Sequence, residues 1–117
     1  MSADDHKAVV RQLLEELWSS DDTELADTLF IDDFLHHNAP EGTPRGPAGQ
    51  KQFIPAIRAQ VPGLRITIDD LIAESDRVAA RWTGTFTTSD GVQRSYSGVD
   101  IVRLEGGKIA ELWSFVP

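Results

Sequence analysis

Asp100 stands in the middle of an apolar run, Gly98-Val99-Asp100-Ile101-Val102-Arg103-Leu104. If the run is a strand, alternation places Asp100 on one face with Gly98, Val102 and Leu104. A carboxylate on an apolar face is costly unless it is partnered or neutral. Desolvation raises its pKa and makes it a general acid or hydrogen-bond donor near neutrality. The converse arrangement, with Val99 and Ile101 inward and Asp100 in water, fits the same residues. Alternation alone does not choose between them.

A second group is His36-His37-Asn38. In an extended chain the two imidazoles point to opposite sides, so at most one faces the interior. A histidine there is a base or proton donor, or a structural residue at the end of a helix. Asn38 is an amide donor into a pocket or a turn residue ahead of Ala39-Pro40. Aromatic side chains supply the third group. Trp82, Gly84 and Phe86 share a strand face, and with Trp113, Trp18 and Phe53 they are candidates to line a slot for a flat apolar ligand. Filling a core is the other use of the same residues.

Other chemistries are disfavoured. With no cysteine there is no thiolate nucleophile or thiolate metal site. His6, His36 and His37 lack the spacing of a helical or strand metal-ligand pair, so no metal is expected. There is no Gly-x-Ser-x-Gly elbow and no glycine-rich phosphate loop. No cofactor is expected either.

Positioning these residues requires three helices and then a sheet. Val9, Val10, Leu13, Leu14, Leu17 and Trp18 recur at helical spacing, predicting a helix from Ser2, its N-cap, to Ser20. A short second helix carries Leu25, Leu29 and Phe30, and Phe34 and Leu35 lead into the histidines. After a loop from Ala39 to Gly46, Pro47 opens a third helix that buries Phe53, Ile54, Ile57 and Val61, with Pro55 an internal irregularity. From Leu64 the period becomes two. Strands follow from Leu64, over Val78–Thr88, over Val92–Leu104 and over Ile109–Val116. Their turns are Glu74-Ser75-Asp76, Ser89-Asp90-Gly91 and Glu105-Gly106-Gly107. Helices first and an antiparallel meander after them predict an α+β fold, a strongly curved sheet wrapped on the helices.

The chain has 117 residues, which predicts one domain over 1–117. A net charge of −8 repels phosphate backbones and anionic membranes, so neither is an expected partner. The first residues have no basic start followed by an apolar run, and with the absence of cysteine a cytoplasmic location is expected.

Three segments carry a resemblance. Asp100 to Trp113, reading Asp-Ile-Val-Arg-Leu-Glu-Gly-Gly-Lys-Ile-Ala-Glu-Leu-Trp, resembles the C-terminal signature of the SnoaL-like polyketide cyclase family. Ile72 to Thr83 and the His37-Asn38-Ala39-Pro40…Gly46 segment are similar to two more of its motifs. The resemblance implies a cone-shaped α+β domain of the superfamily that includes ketosteroid isomerase and limonene epoxide hydrolase, usually homodimeric through the sheet. It implies ring closure by an intramolecular aldol reaction without metal or cofactor, with Asp100 in the place of the family's strand acid/base and His37 and Asn38 at the pocket. Two departures matter. Phe86 falls where cyclases often carry a histidine. Arg81 could match the arginine of the epoxide hydrolases, but Thr83 and Ser114 fall where their aspartates would be.

The expectation is an acid/base enzyme, of cyclase or isomerase type, acting on a small hydrophobic carbonyl compound. Asp100 moves the proton, His37 assists, Asn38 holds a ligand oxygen, and Trp82, Phe86 and Trp113 stack on the rings. The alternatives are a small-ligand-binding domain and a dimerisation domain of the same fold.

Overall fold

The computed structural model describes residues 1–117. Helix α1 spans Ala3–Arg11 and opens with a capping box: Ser2 accepts from the Asp5 amide, and the Asp5 carboxylate accepts from the Ser2 amide. The expected helix to Ser20 changes character at Gln12, where Gln12–Leu17 winds as a π-helical turn. That turn brings Leu13, Leu14 and Leu17 together into the core beside Val10. His6, also buried, donates from Nδ1 to the Ser75 carbonyl at 3.0 Å and so ties α1 to the first hairpin turn. Helix α2 is a single turn, Ala26–Leu29.

The expectation for Phe30 needs correction. It is not the end of the second helix but the start of a strand, β1, over Phe30–His36. Helix α3 then spans Pro47–Gln60 and continues through Pro55. Strands β2 (Arg65–Glu74), β3 (Arg77–Thr87), β4 (Gln93–Glu105) and β5 (Lys108–Phe115) form the expected meander. The sheet therefore has five strands in the order β1-β5-β4-β3-β2, and β1 runs parallel to β5. It is a mixed sheet, where the sequence suggested a purely antiparallel one. The apolar spacing of Phe30 and Phe34 suits a helix face as well as it suits a strand.

Two bulges bend the sheet. Asp69 is an extra residue between Ile68↔Trp82 and Asp70↔Arg81, and Ala110 is an extra residue between Arg103↔Glu111 and Leu104↔Ile109. The concave face buries Val78, Ala80, Trp82, Val102, Leu104 and Leu112 against Leu13, Leu14, Leu17, Phe30, Phe34 and Ile54. Each such side chain contributes about 1.5–3 kcal/mol from burial. At Gly46 the loop before α3 runs hard against β1. Its φ is +80° and an added Cβ would lie 2.4 Å from the Asp32 carbonyl, so only glycine fits. No helix is long and apolar enough to cross a membrane.

Candidate functional site

The inner face of β4 follows the first of the two alternations. Gly98, Asp100, Val102 and Leu104 are buried, and Val99 faces outward. Asp100 is only 3% exposed. Both of its hydrogen bonds fall on one oxygen: Oδ1 accepts from Trp82 Nε1 at 3.2 Å and from Ser114 Oγ at 2.7 Å. Oδ2 accepts none, and Asp100 is among the residues that line the cavity. Burial pushes the carboxyl above the usual range of an aspartate, opposed by the hydrogen bonds from Ser114 and Trp82.

Three neighbouring strands set this geometry. Asp100 pairs with Ala80 on β3 and with Ser114 on β5, so a hydroxyl is delivered from the adjacent position. Trp82 pairs with Gly98, and its indole crosses the bare glycine to reach Asp100. A Cβ on Gly98 would lie 2.5 Å from Trp82 Cζ2 and 3.0 Å from the Phe115 carbonyl.

The cavity holds about 690 Å³ and lies between two aromatic groups. On the sheet side Tyr96 stands edge-on to Trp82 at 5.5 Å and to Phe86 at 6.0 Å. On the helix side Phe53 stands edge-on to Trp18 at 5.8 Å and to His36 at 5.1 Å. Leu14, Ile57, Val61, Ile66 and Leu112 complete the apolar wall. Arg58 fixes the helix side by donating from Nη1 to the carbonyls of Trp18 at 2.7 Å and Leu64 at 3.0 Å.

The structure thus brings Asp100, Trp82, Phe86, Phe53, Trp18 and Asn38 to one cavity, and it separates His37 and Trp113 from them. The reason is the strand character of β1. His36 pairs with Leu112 and points inward, so His37 points outward. There His37 stacks on Trp113 at 4.3 Å, with Nε2 3.0 Å from Glu111 Oε1. Arg77 covers the same indole at 5.3 Å. Asn38 reaches the cavity, but its amide is engaged: Oδ1 accepts from the Ser114 amide at 3.1 Å and Nδ2 donates to the Ser114 carbonyl. It extends the β1–β5 pairing by one rung and holds Ser114 in place.

His36 is the histidine of the site. Gln50 Nε2 lies 3.2 Å from its Nδ1. An amide nitrogen only donates, so Nδ1 accepts and the ring hydrogen sits on Nε2. Burial, and then the charge of His37, lower the His36 pKa and keep the ring neutral. Gln50 is 1% exposed and its Oε1 has no partner.

Sequence reasoning named His37 in place of His36 and did not select Ser114, Tyr96, Gln50 or Arg94. Alternation from Asp100 reaches Tyr96 and Arg94, and the strand pairing reaches Ser114. No pattern in the sequence points to Gln50, which arrives from a separate helix.

Comparison with known proteins gives a consistent family. The profile described as SnoaL-like polyketide cyclase matches residues 8–116. A candidate polyketide cyclase from Bacillus cereus ATCC 10987 is similar at 27% identity with a TM-score of 0.85, over 96% of this chain and 74% of that one. A candidate polyketide cyclase from Acidithiobacillus ferrooxidans is similar at 25% identity and 0.81, over 99% of this chain and 91% of that one. TsrD from Streptomyces laurentii has the same fold, at 22% identity and a TM-score of 0.85, over 99% of this chain and 90% of that one. No curated protein sequence matches the chain.

Proposed function

Because the chain belongs to the SnoaL-like polyketide cyclase family, we propose that it is a cofactor-independent acid/base enzyme acting on a small hydrophobic carbonyl compound. One observation carries the reading: a desolvated carboxyl that lines an aromatic cavity has all its internal hydrogen bonds on Oδ1 and leaves Oδ2 unpartnered. In its ionised form Oδ2 of Asp100 takes a proton from the carbon next to a carbonyl. His36 donates from Nε2 to the carbonyl oxygen and stabilises the enolate. The enolate carbon then attacks a second carbonyl of the same molecule, and Asp100 returns its proton to the new alkoxide. The proton balance closes within the site, and the product is an isomer of the substrate. Without a second carbonyl in reach, the same proton returned to a different carbon gives an isomerase.

The elevated pKa suits both halves, since a carboxyl poised nearer neutrality takes and gives a proton with less penalty. In this reading Trp82, Phe86, Phe53 and Trp18 hold the flat body of the ligand. His37, Trp113 and Asn38 have structural duties.

The test needs no native substrate. Exchange of the α-protons of β-tetralone in deuterated buffer is followed by proton NMR. The wild type accelerates exchange above buffer, and Asp100→Asn loses about 10²–10⁴-fold of that acceleration. Equal acceleration by wild type and variant would refute the mechanism. Binding of the ketone with no exchange at all would favour the ligand-binding alternative. The exposed outer-face residues Ile72 (66%), Val99 (37%) and Phe115 (56%) support a homodimer through the sheet. A monomeric mass by light scattering at about 0.1 mM protein would rule that out.

A further inference from the structure

The cavity has a cation at one end that the proton-transfer chemistry does not use. Arg94 lies on the inner face of β4, six positions before Asp100 in the same alternation, opposite Phe86 on β3. It lines the cavity together with Phe86 and Tyr96. Every ion pair in the protein involves other residues, so no carboxylate of the chain neutralises it. Arg94 is exposed, and Lys7, Arg65, Arg77 and Lys108 are unpaired as well, but of these five only Arg94 lines the cavity. The wall between Arg94 and Asp100 is aromatic, and Arg94 is the only lysine or arginine that lines the cavity.

Resting on the reading of the cavity as a substrate site, we infer that the substrate is an organic acid: a flat apolar body with its reacting carbonyl at Asp100 and a carboxylate held by the Arg94 guanidinium at the mouth. At about 3.3 Å per residue the two positions lie roughly 20 Å apart along the strand. Both side chains reach inward from that span, so the body between carbonyl and carboxylate spans more than one ring. A guanidinium matches a carboxylate with two parallel N–H donors, which fixes orientation as well as affinity. The carboxylate then sets which carbonyl of a multi-carbonyl chain meets Oδ2. In a chain of net charge −8, Arg94 also gives an anionic ligand a local attraction that the rest of the surface withholds.

Isothermal titration calorimetry with 4′-acetylbiphenyl-4-carboxylate, whose ketone and carboxylate stand at opposite ends of two rings, and with its methyl ester tests this on the full chain. Wild type binds the acid about tenfold more tightly than the ester, the strength of one charge-assisted contact at a half-open mouth. Arg94→Gln brings the acid down to the affinity of the ester, and Arg94→Lys keeps part of the preference. Added salt erodes the preference in the wild type. Equal affinities in the wild type, or an undiminished preference in Arg94→Gln, would overturn the inference while leaving the cavity as an apolar site. If neither probe binds, the substrate-site reading falls, and this inference falls with it.

Discussion

Gly98 is where a single methyl group decides between two opposite outcomes. In an ordinary strand position, glycine to alanine stabilises by about 0.5–1 kcal/mol, because the unfolded chain loses freedom. Here the new Cβ would lie 2.5 Å from Trp82 Cζ2, 2.9 Å from Cε2 and 3.0 Å from the Phe115 carbonyl. Ordinary carbon contacts begin near ~3.5 Å, so the indole must withdraw by about 1 Å. Its bond to Asp100 is already long at 3.2 Å, and that displacement breaks it. Overpacking costs about 1–3 kcal/mol and the lost hydrogen bond about 1 kcal/mol more. Against the backbone gain, Gly98→Ala is expected to lose about 1–3 kcal/mol of stability. The assay is urea unfolding followed by tryptophan fluorescence, with the β-tetralone exchange measured on the folded variant. Exchange falls, and its pH dependence moves upward, because a hydrogen bond that lowers the Asp100 pKa has gone. An unchanged or higher urea midpoint would refute the claim that the indole rests on this glycine.

Three further outcomes follow from the same geometry. The folded-state pKa of Asp100 lies above its unfolded value, so the carboxyl favours folding at low pH and costs stability as pH rises through the folded value. Asp100→Asn is therefore expected to raise the unfolding free energy at pH 7 by about 1–3 kcal/mol, with the gain vanishing as pH falls below the ordinary aspartate pKa of ~3.9; a gain independent of pH would contradict this. Ser114→Ala removes the stronger of the two hydrogen bonds to Oδ1, so the rise of exchange with pH shifts to higher pH; an unmoved profile would deny Ser114 any part in tuning Asp100. Gln50→Glu places a carboxylate beside His36 Nδ1, favours the imidazolium and moves the hydrogen onto Nδ1. The imidazolium keeps its hydrogen on Nε2, but the neutral ring that replaces it as pH rises does not, so the deficit in exchange against wild type grows with pH to roughly tenfold, where a purely structural Gln50 gives a loss flat with pH.

Much of the fold was legible because it rests on local signals. The N-cap at Ser2, the Gly106-Gly107 turn and the alternation along β2 to β4 each involve neighbours in sequence. What escaped was non-local. Phe30 and Phe34 are four apart, a helical spacing, yet they lie in a strand because β5 offers them an edge. Missing that strand moved the site from His36 to His37, since the side on which each imidazole falls is set by pairing with Leu112. Asp100 was named from its own strand, but its burial comes from Trp82 and Ser114 on two others. Trp113 failed as a pocket residue for a similar reason. The extra residue at Ala110 resets which side of β5 faces the helices, and Leu112 takes the inner place.

The parallel strand also bears on how the molecule comes into being. Asn38 and Ser114 hold each other across 76 residues of chain. At about 5–20 residues per second, the ribosome needs roughly 4–15 s to make the distance between them. During that interval α1, the π-helical turn and β1 exist without the strand that covers them, and the Asp100 carboxyl has no hydroxyl beside it. The site is thus completed only when β5 is in place, and a nascent chain stalled before β5 exposes an unpaired strand edge and a leucine-rich helix face.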